Sequence, residues 1–449
     1  MYTLAINNGN VINVRSRRIE KLHIGIQDGR IAELSSSPLH AQREIDATGL
    51  CVSPGFIDVH GHIDGYFYSG ELSACQGVTT TVGGNCGYCP IDMKTFFEEQ
   101  DRNGFPINQA MLVGHGVPLR REVGLDDPYA AADQEQIEKM TVLARQAMED
   151  GACGVSFGLD YVPGAGLEEI IALAAVSAEY DRICPVHTRL LTSSDLYSLY
   201  ELFITAERTN AHILISHFVY QYCNGLVPEA IAMVEKARAR GLNIQIDSGM
   251  YTNWSTYLDT ATFDEKTIHN SGWNWNQMVV GTGHFRGRVM DEELYRYMRK
   301  NCPHEAIVFF EGEPCEIYEC LMLPYAMPSS DTGAYAKGEG HPQIAGTFPK
   351  YIREMVREKK LLTLEEAIYK TTLLPAEVFG FPGKGSIEQG YDADITVFDI
   401  ERIQDMAQYP HLGEPDAKPE GIPYVIVNGV PVVDGGIYMD TRSGRTIIK

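Results

Sequence analysis

Residues 54–65 read PGFIDVHGHIDG. A short, largely apolar run from Gly55 to Val59 ends in His60-x-His62. On a strand, side chains two residues apart point to the same side, so both imidazoles can reach one metal ion. A lone pair of this kind is as readily a packed or surface pair. Its meaning depends on whether other strands end in the same way.

They do. QAMLVGHG (109–116), ACGVSFGL (152–159), RICPVHTRL (182–190), HILISHFVY (212–220), LNIQIDSGMY (242–251) and AIVFFEG (306–312) are short apolar runs that give way to polar residues or glycine. Helical patterns separate several of them, such as DQEQIEKMTVLARQAMEDG (133–151) and VPEAIAMVEKARARG (227–241), each closing on glycine. Strand and helix in alternation imply a parallel sheet with right-handed crossovers. Six to eight such units within 55–382 fit an α/β (β/α)8 TIM barrel better than a doubly wound sheet, and residues just beyond each barrel strand face the catalytic end.

Those positions hold His60, His62, Cys86 after TTTVGGN, His187 after ICPV, His217 after ILIS, and Asp331 in MPSSDTG. Six potential ligands at successive strand ends suit zinc or a zinc-like ion. A thiolate can bridge two cations, and Asp331 can bind metal while accepting a proton from water. SSDTG is also a helix-cap sequence, which is the structural alternative for Asp331. The stretch TTTVGGNCGYCP (79–90) leaves three readings of Cys86 and Cys89: a redox dithiol, half of a structural zinc site, or one functional thiolate beside a bystander.

The ends of the chain differ from its middle. TLAINNGNVINV (3–14) suggests a turn at NNGN, LHIGIQDGRIAEL (22–34) a DG hairpin, and PYVIVNGVPVV (423–433) an NG hairpin. Segments 1–54 and 383–449 are therefore expected to form one small β-sandwich built from both termini, outside the barrel.

Bulk composition narrows the function. The 449 residues are 44% hydrophobic and 22% charged, as in ordinary globular proteins, and the net charge of −23 argues against a nucleic-acid partner. The N-terminal stretch has no long apolar segment before a small-residue cleavage site, and no run approaches the length of a membrane span. The ten cysteines are scattered rather than arranged as a disulfide framework. A cytoplasmic protein acting on a small molecule, with no membrane or nucleic-acid partner, is expected; homo-oligomerisation is left open.

Over nearly its whole length the chain resembles the amidohydrolase superfamily, in particular its D-aminoacylase (N-acyl-D-amino-acid deacylase) branch. The resemblance is carried by PGFIDVHGHID, GVTTTVGGNCG, VGHGVPLR, GACGVSFGLDYVPG, the HTR at 187–189, the ISH at 215–217, SSDTG, the run from HPQ at 341, and GKGSIEQGYDADITVFD. It implies that Cys86 replaces a bridging carboxylated lysine and, with His187 and His217, holds one tight Zn2+. It also implies a second, weaker divalent-metal position among His60, His62 and Asp331, shared through Cys86. Cys89 then becomes a packing neighbour. Zinc lowers the pKa of bound water from about 15.7 towards 7. The resemblance makes Asp331 the base that accepts the water proton and returns it to the leaving nitrogen.

Three residues are candidates for substrate binding. Arg189, two residues past His187, has the reach either to hold a carboxylate or to pair with a neighbouring acid. Tyr251 matches a tyrosine that contacts the substrate carboxylate in the branch. Gln343 stands in HPQ where relatives read H-P-R, and Val219 where they read lysine. Asn85 and His115 are expected behind the ligands, and His341 to order a loop. The leading expectation is a zinc-dependent hydrolase of a C–N amide bond in a small molecule. A cyclic-amide hydrolase, hydantoinase- or dihydroorotase-like, is the alternative within the same chemistry. A non-catalytic or redox protein using Cys86 and Cys89 is the alternative from another class.

Overall fold

The structure is a computed structural model that describes residues 1–90, 92–189 and 196–449. Its centre is a ring of eight parallel strands: β1 Phe56–Asp58, β2 Val78–Gly83, β3 Asn108–Met111 continued by Val113–Gly114, β4 Val155–Gly158, β5 Ile183–His187, β6 His212–Ile215, β7 Ile244–Ser248 and β8 Ala326–Pro328. Each pairs in parallel with the next. The ring closes where the Asp331 N–H donates to the His60 carbonyl at 2.8 Å and the His62 N–H to the Thr332 carbonyl at 2.7 Å. Nearly every residue of these strands is buried, as a sheet enclosed by helices requires.

The helices lie where their sequence signals place them. Gln134–Glu149 starts on a capping box. Asp133 accepts the Gln136 N–H at 2.8 Å, and the Gln136 side chain accepts the Asp133 N–H at 3.0 Å. This helix and Val227–Ala239 run out into Gly151 and Gly241, whose φ angles of 110° and 92° favour glycine. Among the described residues, no helix is long and apolar enough to cross a membrane.

Strands from both chain ends share one nine-stranded sheet beside the barrel. Ile395–Phe398, within DADITVFDI, pairs antiparallel with Cys51–Pro54, Thr396 opposite Ser53. The DG and NG hairpins form, with φ positive at both turn residues: 53° and 76° at Asp28-Gly29, 48° and 79° at Asn428-Gly429. The expected turn at NNGN does not. Tyr2–Asn13 is a single strand bulged between Ile6 and Gly9, with Asn8 at φ 64°. A Cβ on Gly9 would sit 2.5 Å from Val52 Cγ2, so this glycine serves close strand packing rather than reversal.

AIVFFEG also departs from expectation. Ala306–Phe309 lies outside the ring, between Trp254–Tyr257 and Met278–Val280 in a three-stranded antiparallel sheet. This sheet belongs to an insertion between β7 and β8 with its own core, in which Trp254 stacks on Phe263 at 5.6 Å and on Phe309 at 4.9 Å. An apolar run of four or five residues is the same signal for a barrel strand and for a small separate sheet. The eighth barrel strand is instead Ala326–Pro328, which ends three residues before Asp331.

Candidate metal centre

The six potential ligands converge at the C-terminal mouth of the ring. Cys86 sits three residues past β2 in a turn whose tightness explains the glycines around it. A Cβ on Gly84 would lie 2.1 Å from the Leu112 carbonyl oxygen, one on Gly87 2.9 Å from the Gly158 nitrogen, and one on Gly158 2.0 Å from the Cys86 carbonyl oxygen. Ser156 on β4 clamps the turn, accepting the Gly87 N–H at 3.1 Å and donating to the Gly84 carbonyl. Cys86, His217 and Asp331 all adopt left-handed backbone, with φ of 51°, 34° and 51°. Such conformations cost about 1–3 kcal/mol each and persist where surrounding contacts hold them, commonly at functional sites.

Cys86 Sγ lies 3.3 Å from His60 Nε2 and 3.5 Å from His217 Nε2, and His217 Nε2 lies 2.9 Å from His187 Nδ1. Asp331 Oδ1 stands 3.2 Å from His62 Nε2 and 3.5 Å from His60 Nε2. Among the described residues two candidate ligand groups result, Cys86 with His60 and His217, and Asp331 with His60 and His62, each with its donor atoms mutually within 4.8 Å. Ligands at zinc–nitrogen and zinc–sulfur distances of about 2.0–2.3 Å stand roughly 3.3–3.8 Å apart in a tetrahedron. Most of these separations match that range, and thiolate, imidazole and carboxylate are the donors zinc takes. The residues fit a divalent metal.

The charges of these groups depend on one another. Burial opposes ionisation of the Cys86 thiol, yet the imidazoles of His60, His217 and His187 hold it well below the usual thiol range. Burial likewise opposes the charged form of His62, but the Asp331 carboxylate and Cys86 push it up to about 10. Asp331 remains below the usual carboxylate range despite burial, because His62, His60 and His217 face it. A site that stabilises two anions among several imidazoles is prepared for a cation.

Asp247, on β7, was not singled out from the sequence. Its Oδ1 accepts the His217 N–H at 2.9 Å and the Ser329 hydroxyl at 2.7 Å, and its Oδ2 lies 3.4 Å from His60 Nδ1. It therefore orients the His60 ring from behind, as carboxylates commonly do at metal sites, and fixes the backbone that carries His217. The signal was present in QIDS, an acid at the polar end of an apolar strand. Asp58 plays a similar part, accepting N–H bonds from His60 at 3.3 Å and Ser330 at 3.0 Å.

The other predicted residues lie behind the site. Arg189 donates to Glu201 at 2.9 Å and to the carbonyls of Pro163, at 2.9 Å, and Ala165, so it takes the ion-pair alternative and does not line the cavity. Tyr251 is buried against His341 at 5.1 Å, with Lys350 Nζ 4.0 Å from its ring centre. Gln343 is buried too. Its amide donates to the Asp331 carbonyl, and its oxygen accepts the Tyr220 hydroxyl at 3.0 Å. His115 pairs with Glu169 at 2.8 Å, Asn85 donates to the Val82 carbonyl at 2.9 Å, and Val219 is fully buried. Cys89 accepts the Gly114 N–H at 3.2 Å, and burial pushes its thiol up to about 12, unlike a reactive dithiol partner.

The ligands open into a cavity of about 680 Å³. Tyr88, Asp160, Tyr161, Tyr220 and Tyr335 line its barrel side, while the insertion contributes Trp254, Thr256, Tyr257, Asp259, Thr262 and His304. None of the insertion's residues is legible as site-forming from sequence spacing, because they approach the metal ligands only through the docking of a separate small core.

The profile of the amidohydrolase family matches residues 43–164 and 329–433, the segments that carry His60, His62, Cys86 and Asp331. The chain belongs to the amidohydrolase family, and it is a metal-dependent amidohydrolase. Within the family, it is similar to two proteins of Alcaligenes xylosoxydans xylosoxydans. To an N-acyl-D-glutamate deacylase it is 31% identical, over 96% of this chain and 93% of that protein. To a D-aminoacylase it is 30% identical, over 100% and 98%. The crystal structure of N-acyl-D-glutamate deacylase from Bordetella bronchiseptica, complexed with zinc and a phosphonate inhibitor that mimics the tetrahedral intermediate, superposes with a TM-score of 0.86, at 28% identity and complete coverage of both chains.

Proposed function

We propose that this protein hydrolyses the amide bond of a small N-acyl compound in a zinc-dependent reaction. The observation that carries the reading is the meeting of Cys86, His60, His62, His217 and Asp331 at the floor of a cavity large enough for a small molecule. Cys86, His187 and His217 would hold the tight zinc, and His60, His62 and Asp331 would hold a weaker second cation. Bound there, the metal supplies Lewis-acid polarisation of the carbonyl and a lowered pKa for water.

The chain's own groups supply the proton chemistry. Asp331 is kept ionised by the imidazoles facing it, so its carboxylate is ready to take a proton from water and pass it to the departing nitrogen. Its backbone is fixed from both sides, the N–H on the His60 carbonyl at 2.8 Å and the carbonyl on the Gln343 amide. Gln343 is on this reading a positioning residue. Burial raises the pKa of the Tyr161 and Tyr220 phenols, so both stay protonated; Tyr220 donates to Gln343, and the Tyr161 hydroxyl lies 3.2 Å from Thr256 Oγ1 in the cavity wall. Domain limits of 1–54 with 383–449, folded as a small β-sandwich, and 55–382 as the catalytic barrel belong to the same proposal, as does a cytoplasmic location.

The test is amine release by zinc-loaded protein across N-acyl amino acids of both hands, N-acyl amines and hydantoins. Turnover of an acyclic amide that disappears in Asp331→Asn supports the reading. Turnover of cyclic substrates alone would replace it with cyclic-amide hydrolysis.

A further inference from the structure

The charge of the cavity lining bears on the substrate. Among the described residues, no lysine or arginine lines the cavity. Ile91 and residues 190–195, LLTSSD, contain none either. The nearby cations are engaged elsewhere. Arg189 is spent on Glu201 and two carbonyls, Lys350 lies over the Tyr251 ring, and Arg353 pairs with Asp405 at 2.9 Å.

Carboxylates, by contrast, reach the cavity from several elements. Apart from the ligand Asp331, they are Asp64 beyond β1, Asp160 beyond β4 and Asp259 in the insertion. Asp160 accepts the Thr262 hydroxyl, and Asp259 pairs with His304 at 2.7 Å near the rim. Cys86 and Asp331 belong to the proposed ligand set, and beyond it these acids are the charged side chains that the described lining presents to the rest of a substrate. Phenols and hydroxyls offer hydrogen bonds, but no lysine or arginine among the described lining residues is available for a substrate carboxylate.

Resting on the amide-hydrolase reading above, we propose that the amine half of the substrate carries no carboxylate and is either uncharged or positively charged. The names of the relatives denote N-acylated amino acids, whose amine half is acidic. On this proposal the amine half differs from the one those names denote, while the chemistry at the bond is shared. In that chemistry the water oxygen bonds to the acyl carbon and the C–N bond breaks. The nitrogen takes the protons released, giving a carboxylate and an ammonium product. The class of reaction that supplies such a substrate is acylation of an amine or an amino amide, rather than of a free amino acid.

The experiment uses zinc-loaded protein and matched substrates in both hands: N-acetylmethionine, N-acetylmethioninamide and N-acetyllysinamide. We expect kcat/KM for at least one carboxamide to exceed that of N-acetylmethionine by about tenfold or more, the scale on which pocket contacts discriminate. Equal or faster hydrolysis of the carboxylate would overturn the proposal while leaving amide hydrolysis intact. If none of the three is hydrolysed, the amide-hydrolase reading is what fails for these compounds. Calorimetric binding then reads the charge preference by itself. Tighter binding of a carboxamide supports the proposal. Tighter or equal binding of the carboxylate, or no binding of either carboxamide at about 10 mM, overturns it.

Discussion

The carboxylate of Asp247 accepts the backbone N–H of His217 at 2.9 Å, from one barrel strand to the turn that follows its neighbour. The same carboxylate lies 3.4 Å from His60 Nδ1, so one acid fixes the backbone of one imidazole and the ring of another. Replacing it should loosen the centre without removing a ligand. Asp247→Ala is expected to weaken zinc affinity by about 10–100-fold, the usual effect of losing such a partner. Competition with a chelating dye checks this, and affinity equal to wild type would show that Asp247 has no part in orienting the ligands.

The two cysteines of CGYC should separate cleanly. Cys86→Ala is expected to lower zinc content and activity together. Cys89→Ala should leave both largely intact, because its thiol accepts the Gly114 N–H and donates to the Pro90 carbonyl rather than facing the imidazoles. Zinc per chain and free thiols, measured under reducing conditions, decide between them. Damage from Cys89→Ala alone would reverse the assignment.

Asp331→Asn should retain the fold and tight zinc while kcat falls by about 10²–10⁴-fold, since a carboxamide cannot accept the proton. Zinc analysis beside steady-state kinetics makes the comparison. Turnover close to wild type would remove Asp331 from the proton path.

Gly158 tests the packing behind Cys86. Its absent Cβ would stand 2.0 Å from the Cys86 carbonyl oxygen, a backbone atom that cannot rotate away. Gly158→Ala should therefore displace the Cys86 turn. We expect about 1–3 kcal/mol of lost stability together with reduced zinc occupancy, both measurable on the purified protein. Full zinc occupancy would show that the turn moves as a unit.

His341 sets a pH dependence of stability. Burial pushes its imidazole down to about 3, and its Nδ1 accepts the Gln343 N–H at 3.1 Å, a bond that suits the neutral ring. In the unfolded chain the group titrates near about 6.5. Between these values the unfolded state binds the extra proton, so stability falls as pH drops below about 6.5 and continues to fall towards 3. The slope from this group approaches about 1.4 kcal/mol per pH unit. Urea unfolding across that window should show a shallower acid limb in His341→Phe than in wild type, and an unchanged slope would assign the acid sensitivity elsewhere.

Much of this protein is legible in one dimension because its signals are local. The DG and NG turns, the Asp133 capping box and the alternation of strand and helix each depend on a few adjacent residues. His60-x-His62 and the strand-end placement of Cys86, His187, His217 and Asp331 follow from the regular geometry of a barrel, in which residues past each strand share one face. The bulge at Asn8 and the removal of AIVFF from the ring were not legible. In both cases the local pattern suits two structures of similar cost, and the choice is made by distant packing, against Val52 in one and within the Trp254 and Phe309 core in the other.

The sequence by itself determined the fold class, through its periodicity, and the family, through a resemblance that runs over nearly the whole chain; it also placed the candidate donors at strand ends. Only the tertiary structure decided what surrounds the donors. It turned Arg189 towards Glu201, set Gln343 behind Asp331, brought Asp247 to the His60 ring and the His217 backbone, and carried Asp259 and Trp254 of the insertion to the cavity. Side-chain direction and the docking of a separate core are settled by burial and hydrogen bonding between segments far apart in the chain. No window of sequence contains both partners of such contacts.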